Sequence, residues 1–309
     1  MRNGMWSSRD AATAARRRSW PAIAVLGVLV GGLLAGCART DLDGDVTDDW
    51  AAMAAPKVFQ PAAATCHATP ASRTVAATAY DPVDCAEAHR SETIHVGTFR
   101  GDAGSASAPP EDDTPAIRAA YTECEQAAKD FLGDDWRTGR VYLSVTLPTG
   151  SAWGGGARWF RCDLAEVRGK DDQSPVTRTG SLKDALRGGR GPLRYGCYQV
   201  TSRNDRVESM KPVPCTQAHN AEFVGVHVPP DAPYTRLTDA RWSAYHTACR
   251  SLIARYIGVS VNTARRAGSV ASPLGEDEWR RGNRGVLCHV WFEDKNLRKS
   301  VKGAGALPD

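Results

Sequence analysis

The sequence is built around one stretch, Cys215-Thr216-Gln217-Ala218-His219-Asn220-Ala221-Glu222, which reads C-x-x-x-H-x-x-E. The same pattern stands 130 residues earlier, as Cys85-Ala86-Glu87-Ala88-His89-Arg90-Ser91-Glu92. Each stretch belongs to a set of four cysteines, and the two sets are Cys66, Cys85, Cys124 and Cys162, and Cys197, Cys215, Cys249 and Cys288. The intervals within the sets are 19, 39 and 38 residues and 18, 34 and 39 residues. This agreement indicates an internal duplication.

Residues 1–37 have the pattern of an export signal. Several arginines precede an apolar run from Ala22 to Leu34, which is too short to span a bilayer. The run ends in Leu34-Ala35-Gly36-Cys37, which resembles the lipobox of bacterial lipoproteins. That resemblance implies cleavage before Cys37 and attachment of a lipid carrying fatty acids such as palmitate to its sulfur. The alternatives are an ordinary signal peptide or an uncleaved anchor in which the cysteine is incidental.

The other eight of the nine cysteines are expected to form disulfides. An even number, shared equally between two copies, is typical of proteins that fold in an oxidising compartment. Zinc is the rival explanation, but the sequence has no C-x-x-C pair. Four cysteines allow three pairings, and their spacing does not decide between them. We favour first with second and third with fourth in each copy: Cys66–Cys85, Cys124–Cys162, Cys197–Cys215 and Cys249–Cys288.

Composition divides the rest of the chain into a tether and two modules. Residues 38–64 are rich in aspartate, alanine and proline, which predicts a flexible tether. We place the first module at residues 65–186 and the second at residues 187–309. The formal net charge is +4, but nucleic acid is not expected as a partner because the chain is predicted to be exported.

Periodicity within each module predicts an α+β fold class, in which one helix packs on a small antiparallel sheet. The first copy has predicted strands at 93–99, 141–147 and 157–167 and a helix from Thr114-Pro115 to Gly133. The second has predicted strands at 222–228 and 285–292 and a helix at 238–257. Each copy also ends in a related segment, Gly180-Ser181-Leu182-Lys183 or Lys299-Ser300-Val301-Lys302.

The candidate functional residues are the paired histidines and glutamates of the repeated stretch, His89 with Glu92 and His219 with Glu222. At this spacing an imidazole and a carboxylate could share a hydrogen bond or a metal. With its cysteine oxidised, each copy offers one ligand fewer than the usual catalytic zinc site. His95 and His227 could complete a set only if their strands turned back. We therefore favour a structural role, bracing the turn into the strand, and predict no catalytic residue, no metal and no cofactor.

Basic residues cluster in two places, around the junction of the copies and near residue 300. The clusters are Arg187, Arg190, Arg194, Arg203 and Arg206, and Arg280, Arg281, Arg284, Lys295, Arg298, Lys299 and Lys302. Such patches could bind anionic lipid or acidic wall polymers. The alternative is an ordinary solvated surface.

The repeated pattern also resembles a known family. Val83-Asp84-Cys85-x-x-x-His89-x-x-Glu92 and Val213-Pro214-Cys215-x-x-x-His219-x-x-Glu222, with the later cysteines, resemble the septum formation domain of actinobacterial envelope proteins. The resemblance covers about Cys66 to Lys302 and implies a role in cell division or wall septation, without established catalytic residues.

We therefore expect a non-enzymatic binding or scaffold protein, lipid-anchored to the cell membrane and facing outside the cytoplasm. Its expected partners are the membrane, envelope or divisome proteins, and anionic wall polymers. The rival hypothesis is a metal-dependent envelope hydrolase that uses one of the two His/Glu pairs.

Overall fold

Two β-sheets form the framework of residues 57–189, 191–204 and 206–308, the residues that the computed structural model describes. The first sheet contains β1 (Thr65–His67), β2 (Thr74–Val75), β3 (Pro82–Val83), β4 (Ser91–Thr98), β5 (Val141–Pro148) and β6 (Trp159–Glu166). The second contains β7 (Cys197–Arg203), β8 (Arg206–Val213), β9 (Ala221–His227), β10 (Gly268–Pro273) and β11 (Val286–Trp291). Their orders are β2-β5-β6-β4-β1-β3 and β10-β11-β9-β7-β8. Four strands of each sheet are arranged alike. In both β5-β6-β4-β1 and β10-β11-β9-β7, the third of the four strands in the chain comes first, followed by the fourth, the second and the first.

The predicted export signal, Cys37 and residues 38–56 of the predicted tether lie outside the described residues. Within the part of the chain that is described, no helix is both long enough and apolar enough to cross a bilayer.

Two long helices are present, α2 (Pro115–Leu132) and α4 (Asp239–Ile257), beside the short helices α1 (Gly101–Ser105), α3 (Gly150–Gly154), α5 (Val261–Ala264) and α6 (Glu276–Arg281). Thr114 and Thr238 begin the long helices, and each side-chain oxygen accepts a hydrogen bond from the backbone three residues later. Gly133 and Gly258 end them with φ of 82° and 85°, in the left-handed region where a side chain would be strained. Both predicted long helices are confirmed, but the short ones were not expected.

Each long helix packs against one sheet. Ile117, Tyr121 and Leu132 of α2 are buried against strand residues such as Leu143 and Leu164. In the second half, α4 buries a comparable face that divides between two clusters, one around Ile253 and Ile257 and one around Tyr245 and Cys249. Burying each such side chain stabilises the fold by about 1.5–3 kcal/mol.

The four disulfides pair as favoured from the sequence: Cys66–Cys85, Cys124–Cys162, Cys197–Cys215 and Cys249–Cys288. Cys124–Cys162 joins α2 to β6, and Cys249–Cys288 joins α4 to β11. In the chain-entropy account, closing loops of this length contributes about 3–4 kcal/mol per bridge.

The first sheet departs from the predicted antiparallel arrangement at one edge. There β2 pairs with β5 in parallel, with Thr74 opposite Leu147. The pairing is held by the backbone amide of Leu147, which donates to the carbonyl oxygen of Arg73, and by the hydroxyl of Thr146, which donates to that of Ser72. A two-residue strand carries too little periodicity to be predicted from sequence.

The two halves of the chain contact each other closely, and Lys57–Asp309 forms one compact unit. Arg137 Nε donates to Asn283 Oδ1 at 2.7 Å, and the hydroxyl of Tyr142 donates to Glu278 Oε1 at 2.7 Å. Gly282 has φ of +110°, and a Cβ built there would lie 2.8 Å from the Tyr121 side chain. The boundary placed between residues 186 and 187 stays a prediction.

Candidate functional site

In the first copy, a later segment of the chain closes over the carboxylate of Glu92. Its Oε1 accepts a hydrogen bond from the Ser181 hydroxyl at 2.7 Å, and its Oε2 accepts one from the Leu182 backbone amide at 2.8 Å. His89 is 1% exposed, and its Nδ1 donates to the carbonyl oxygen two residues earlier at 2.9 Å. Its Nε2 is buried without a hydrogen-bond partner among the described residues.

In the second copy, the carboxylate of Glu222 is more completely enclosed. Oε1 accepts from the Val301 backbone amide at 2.8 Å and lies 3.2 Å from His219 Nε2. Oε2 accepts from the hydroxyls of Tyr256 at 2.8 Å and Ser300 at 2.6 Å. Glu222 and His219 are both 0% exposed. The imidazole and the carboxylate at the centre of these contacts are therefore both shielded from solvent.

The main chain repeats the same closure in both copies. His89 exchanges two backbone hydrogen bonds with Arg178, each of 2.9 Å. His219 does the same with Leu297, at 3.0 and 2.8 Å. In each case the partner lies three residues before the serine that donates to the glutamate. The histidine and glutamate therefore fasten a distant segment to the start of β4 or β9.

Two groups of side chains place potential metal ligands within 4.8 Å of one another, Cys66 with His89 and Glu92, and Cys197 with His219 and Glu222. The sulfurs of Cys66 and Cys197 are both in disulfides, and a metal binds the thiolate form of cysteine. The carboxylate oxygens already accept hydrogen bonds from the chain. Each group therefore offers one imidazole and one carboxylate that is already hydrogen-bonded to the protein. A catalytic zinc site uses three protein ligands.

His95 and His227, the other histidines considered as ligands, lie away from these groups. His95 Nε2 is 2.6 Å from Glu123 Oε1 on α2. The ring of His227 packs edge-on against Tyr245 of α4, and burial lowers its pKa. Neither strand turns its histidine back toward the repeated motif.

A buried polar network lies beside the first motif and was not predicted. Asp163 accepts hydrogen bonds from the hydroxyls of Thr93 at 2.6 Å and Thr146 at 2.7 Å, and from Arg161 Nε at 2.8 Å. His67 Nε2 lies 2.9 Å from the Thr93 oxygen. Burial, and then the charge of Arg161, lower the pKa of His67. The network surrounds Asp163, which is fully buried, with hydrogen-bond donors.

The second half replaces this network with aromatic packing. Phe223 follows Glu222 as Thr93 follows Glu92, and His289 follows Cys288 as Asp163 follows Cys162. His289 lies 5.5 Å from Phe223 and 5.2 Å from Tyr198, measured between ring centroids. Both of its ring nitrogens are buried without hydrogen-bond partners in the described part of the chain, and burial lowers its pKa to about 3. The copies therefore share the histidine-glutamate closure but not the neighbouring interior.

The predicted basic clusters are interleaved with carboxylates. Arginines near the junction lie close to acidic side chains: Arg187 to Asp184, Arg194 to Asp134 and Arg203 to Glu208. Three arginines of the second cluster also lie close to acidic side chains: Arg280 to Glu276, Arg281 to Asp112 and Arg284 to Asp231. These clusters are therefore less electropositive than a count of arginines predicts.

The partners of the two glutamates were missed, although the sequence carried a signal for them. The related segments at residues 180–183 and 299–302 contain the serine and the following backbone amide that bind the carboxylate. Their repetition pointed to a shared role, but periodicity does not tell which distant residue a segment contacts. Tyr256 adds a further donor in the second copy.

Comparison with known proteins places this arrangement in one family. A family model described as septum formation matches residues 63–288, which include both motifs and all eight bridged cysteines. No significant match exists among curated proteins or among solved structures. The match covers more than half of the chain, and with the duplicated motif and its four disulfides it establishes that the chain belongs to the septum formation family.

Proposed function

We propose that this protein is a lipid-anchored binding or scaffold component of the cell envelope, without catalytic activity, that takes part in septum formation through two tandem homologous modules. The family match supports the link to septum formation. The shared strand order of the two sheets and the matching disulfides support the duplication.

One observation carries the proposal of a non-enzymatic role. Both oxygens of Glu92 and of Glu222 accept hydrogen bonds from the protein's own serines and backbone amides. A general acid or base must reach a substrate within hydrogen-bond distance. Carboxylates buried at 3% and 0% exposure and committed to the fold are suited to holding the modules together.

The proposal includes attachment to the outer face of the membrane through Cys37. Its support is the lipobox-like Leu34-Ala35-Gly36-Cys37 together with the disulfides, which fit an oxidising compartment. Labelling cells with a palmitate analogue should mark the wild-type protein but not Cys37→Ser. Cys37→Ser should also leave the membrane fraction.

Septum formation is tested in the cells that produce the protein. A fusion to a fluorescent protein that folds outside the cytoplasm should concentrate at division sites, and depletion should lengthen cells or misplace septa. Replacement by His89→Ala with His219→Ala should restore division in proportion to the amount of folded protein. Uniform fluorescence with normal division after depletion would remove the septal role.

A metal-dependent hydrolase remains the second candidate, and one observation favours it. The Nε2 atom of His89 is buried beside Cys66 and Glu92 and has no hydrogen-bond partner in the described residues. Native mass spectrometry with added zinc tests this candidate. One zinc ion retained per chain, and lost in His89→Ala but not in His219→Ala, would favour it over the scaffold proposal.

A further inference from the structure

Strand β10 lies at the edge of the second sheet, and the first copy covers the equivalent edge with its own chain. Among the described strands, β11 is the one neighbour of β10. Ala271 of β10 is paired with Cys288 as Val145 of β5 is paired with Cys162, so β10 and β5 hold equivalent places in the two copies. In the first copy β2 pairs in parallel with the outer edge of β5. Within the described residues, the second copy has no strand in that position.

The first copy shows how an extended segment is held at this edge. The amide of Leu147 donates to the carbonyl oxygen of Arg73 at 2.9 Å, and Arg73 Nη1 donates to the carbonyl oxygen of Val145 at 3.4 Å. The hydroxyl of Thr146 donates to the carbonyl oxygen of Ser72 at 2.8 Å. Each of these bonds involves at least one backbone group. Such an edge therefore recognises extended polypeptide rather than one particular sequence.

The edge of β10 presents backbone groups of the same kind. In an antiparallel edge strand, alternate residues turn both their amide and their carbonyl away from the neighbouring strand. Val145 is such a residue of β5, so its counterpart Ala271 and the residue two before it, Ser269, turn theirs outward on β10. Pro273 takes the place of Leu147 and has no amide to donate. An added segment would therefore pair with β10 through Ser269 and Ala271.

A cleft of about 740 Å³ opens at this edge, and Ser269 and Ala271 are among the residues that line it. Helix α4 contributes Trp242, and the first half of β8 contributes Val207 and Met210. Two cationic and two anionic side chains also line the cleft, so charge favours neither an acidic nor a basic occupant. A cleft of this size holds a small ligand or a few residues of a peptide. The aromatic and aliphatic side chains favour an occupant with apolar side chains.

The helix positions in this cleft are the ones that the first copy covers. Trp242 stands seven residues before the helix cysteine of its copy, as Ile117 does in the first. His246 stands three residues before that cysteine, as Tyr121 does. Ile117 and Tyr121 are 1% and 3% exposed, beneath Ser72 in the segment leading into β2 and beneath α6. Trp242 and His246 are only half-buried, so the second copy leaves uncovered what the first copy buries.

We infer that the edge of β10 binds an extended segment of a partner protein, which adds to the second sheet as β2 adds to the first. The assignment rests on the proposed scaffold function and names its partner chemistry, a neutral segment with β-branched apolar side chains. Its backbone pairs with Ser269 and Ala271, and its side chains pack on Trp242 and Val207. A second copy of this chain is less suited, because it would bring a whole sheet to a cleft that is lined on both sides of one strand edge.

The inference is tested by fluorescence anisotropy with the purified protein. The probe is a fluorescein-labelled eight-residue peptide of alternating valine and threonine. We expect saturable binding that changes little between 50 and 300 mM salt, because the contacts do not join opposite charges. Ser269→Pro should weaken binding roughly fivefold, since it removes one outward amide. Trp242→Ala should weaken it roughly tenfold, since an indole ring is lost from the contact.

Matched controls separate this edge from general apolar adhesion. Val207 lines the cleft and is 39% exposed, whereas Val261 is 42% exposed and lies outside the lining. Val207→Ser should weaken binding roughly threefold, and Val261→Ser should leave it unchanged. A probe of the same sequence with N-methylated amides cannot pair with a strand and should not bind. In the wild-type protein, hydrogen exchange of the Ala271 amide should slow when the unmethylated probe binds, a readout that needs no variant to fold.

Four results would overturn the inference. They are equal binding of the N-methylated probe, equal weakening by Val261→Ser, an unchanged exchange rate at Ala271 with saturating probe, and no binding at millimolar probe. A wild-type dimer that Ser269→Pro converts to a monomer would overturn it as well, because the edge would then pair with a second copy. In each case the fluorescent fusion carrying Ser269→Pro and Trp242→Ala separates the two proposals. Septal localisation that persists in this fusion leaves the scaffold function standing and removes the β10 edge from it.

Discussion

Replacement of Glu222 by methionine tests whether the motif serves the fold. Methionine has a similar length and fills the same space, but it accepts no strong hydrogen bond. Three donors bind the Glu222 carboxylate, the Val301 backbone amide and the hydroxyls of Tyr256 and Ser300. At about 1.5 kcal/mol for each hydrogen bond to a charged group, their loss amounts to about 4.5 kcal/mol.

Glu92→Met is the matched change in the first copy. Glu92 has two such contacts, from Ser181 and Leu182, so the same reasoning gives a loss of about 3 kcal/mol. Both substitutions also relieve the cost of burying a charge. Because both carboxylates are almost fully buried, that gain largely cancels in the comparison. We therefore expect Glu222→Met to be less stable than Glu92→Met by about 1.5 kcal/mol, the contribution of one hydrogen bond.

Urea unfolding with the disulfides intact measures the difference, followed by far-ultraviolet circular dichroism and by tryptophan fluorescence. Glu87→Met, an exposed position in the same stretch, is the control and should change the unfolding free energy by less than about 0.5 kcal/mol. Equal unfolding midpoints for the wild type and Glu222→Met would refute the structural reading of the motif. Equal losses in the two copies would refute the count of hydrogen bonds behind it.

Three further substitutions test other parts of the structure. Because the pKa of His289 is lowered to about 3, the unfolded chain binds more protons than the folded one between pH 6.5 and 3, and stability falls as the pH falls through that window. In His289→Leu, the loss of unfolding free energy between pH 7 and pH 4 should be about 3 kcal/mol smaller than in the wild type, as measured by urea unfolding at each pH. Gly282→Ala should cost about 2 kcal/mol because of its φ of +110° and its contact with Tyr121, whereas Gly275→Ala, with open space around it, should cost less than about 0.5 kcal/mol. Thermal unfolding compares the two glycine variants, and equal melting temperatures would contradict the reasoning. Arg137→Met should destabilise the protein by about 3–5 kcal/mol, because the Arg137 side chain is only 4% exposed and its removal leaves Glu125 and Asn283 without their partner. A urea midpoint equal to that of the wild type would contradict this.

The long elements were predictable because their signals are local. Thr114 with Pro115 specifies the start of α2 and Gly133 specifies its end, and each signal lies within a residue or two of the end that it specifies. Strand β8 gave no such signal, because almost every residue of Arg206–Val213 is exposed and no buried face alternates along it. In the structure β8 lies at the edge of the second sheet, where β7 is its one neighbour among the described strands.

The contacts of the candidate site were beyond sequence reasoning for a different reason. Leu182 lies 90 residues after Glu92, and Val301 lies 79 residues after Glu222. Neither hydrophobic periodicity nor capping patterns carry information over such distances. The disulfide pairing was less demanding, because four cysteines in each copy allow only three pairings.

The closure of Glu222 also has a consequence for how the chain folds. Contacts between residues so far apart form late, since the entropy of the intervening loop must be lost before they are gained. Val301 comes after β9, α4, β10 and β11 in the chain, so its amide reaches the carboxylate of Glu222 only after all of these elements have been synthesised. A chain interrupted before Ser300 would possess every strand and helix of the second half, yet Glu222 would lack its two last donors. The carboxylate of the second motif can therefore be fully hydrogen-bonded only when the whole module, including Ser300 and Val301, is present.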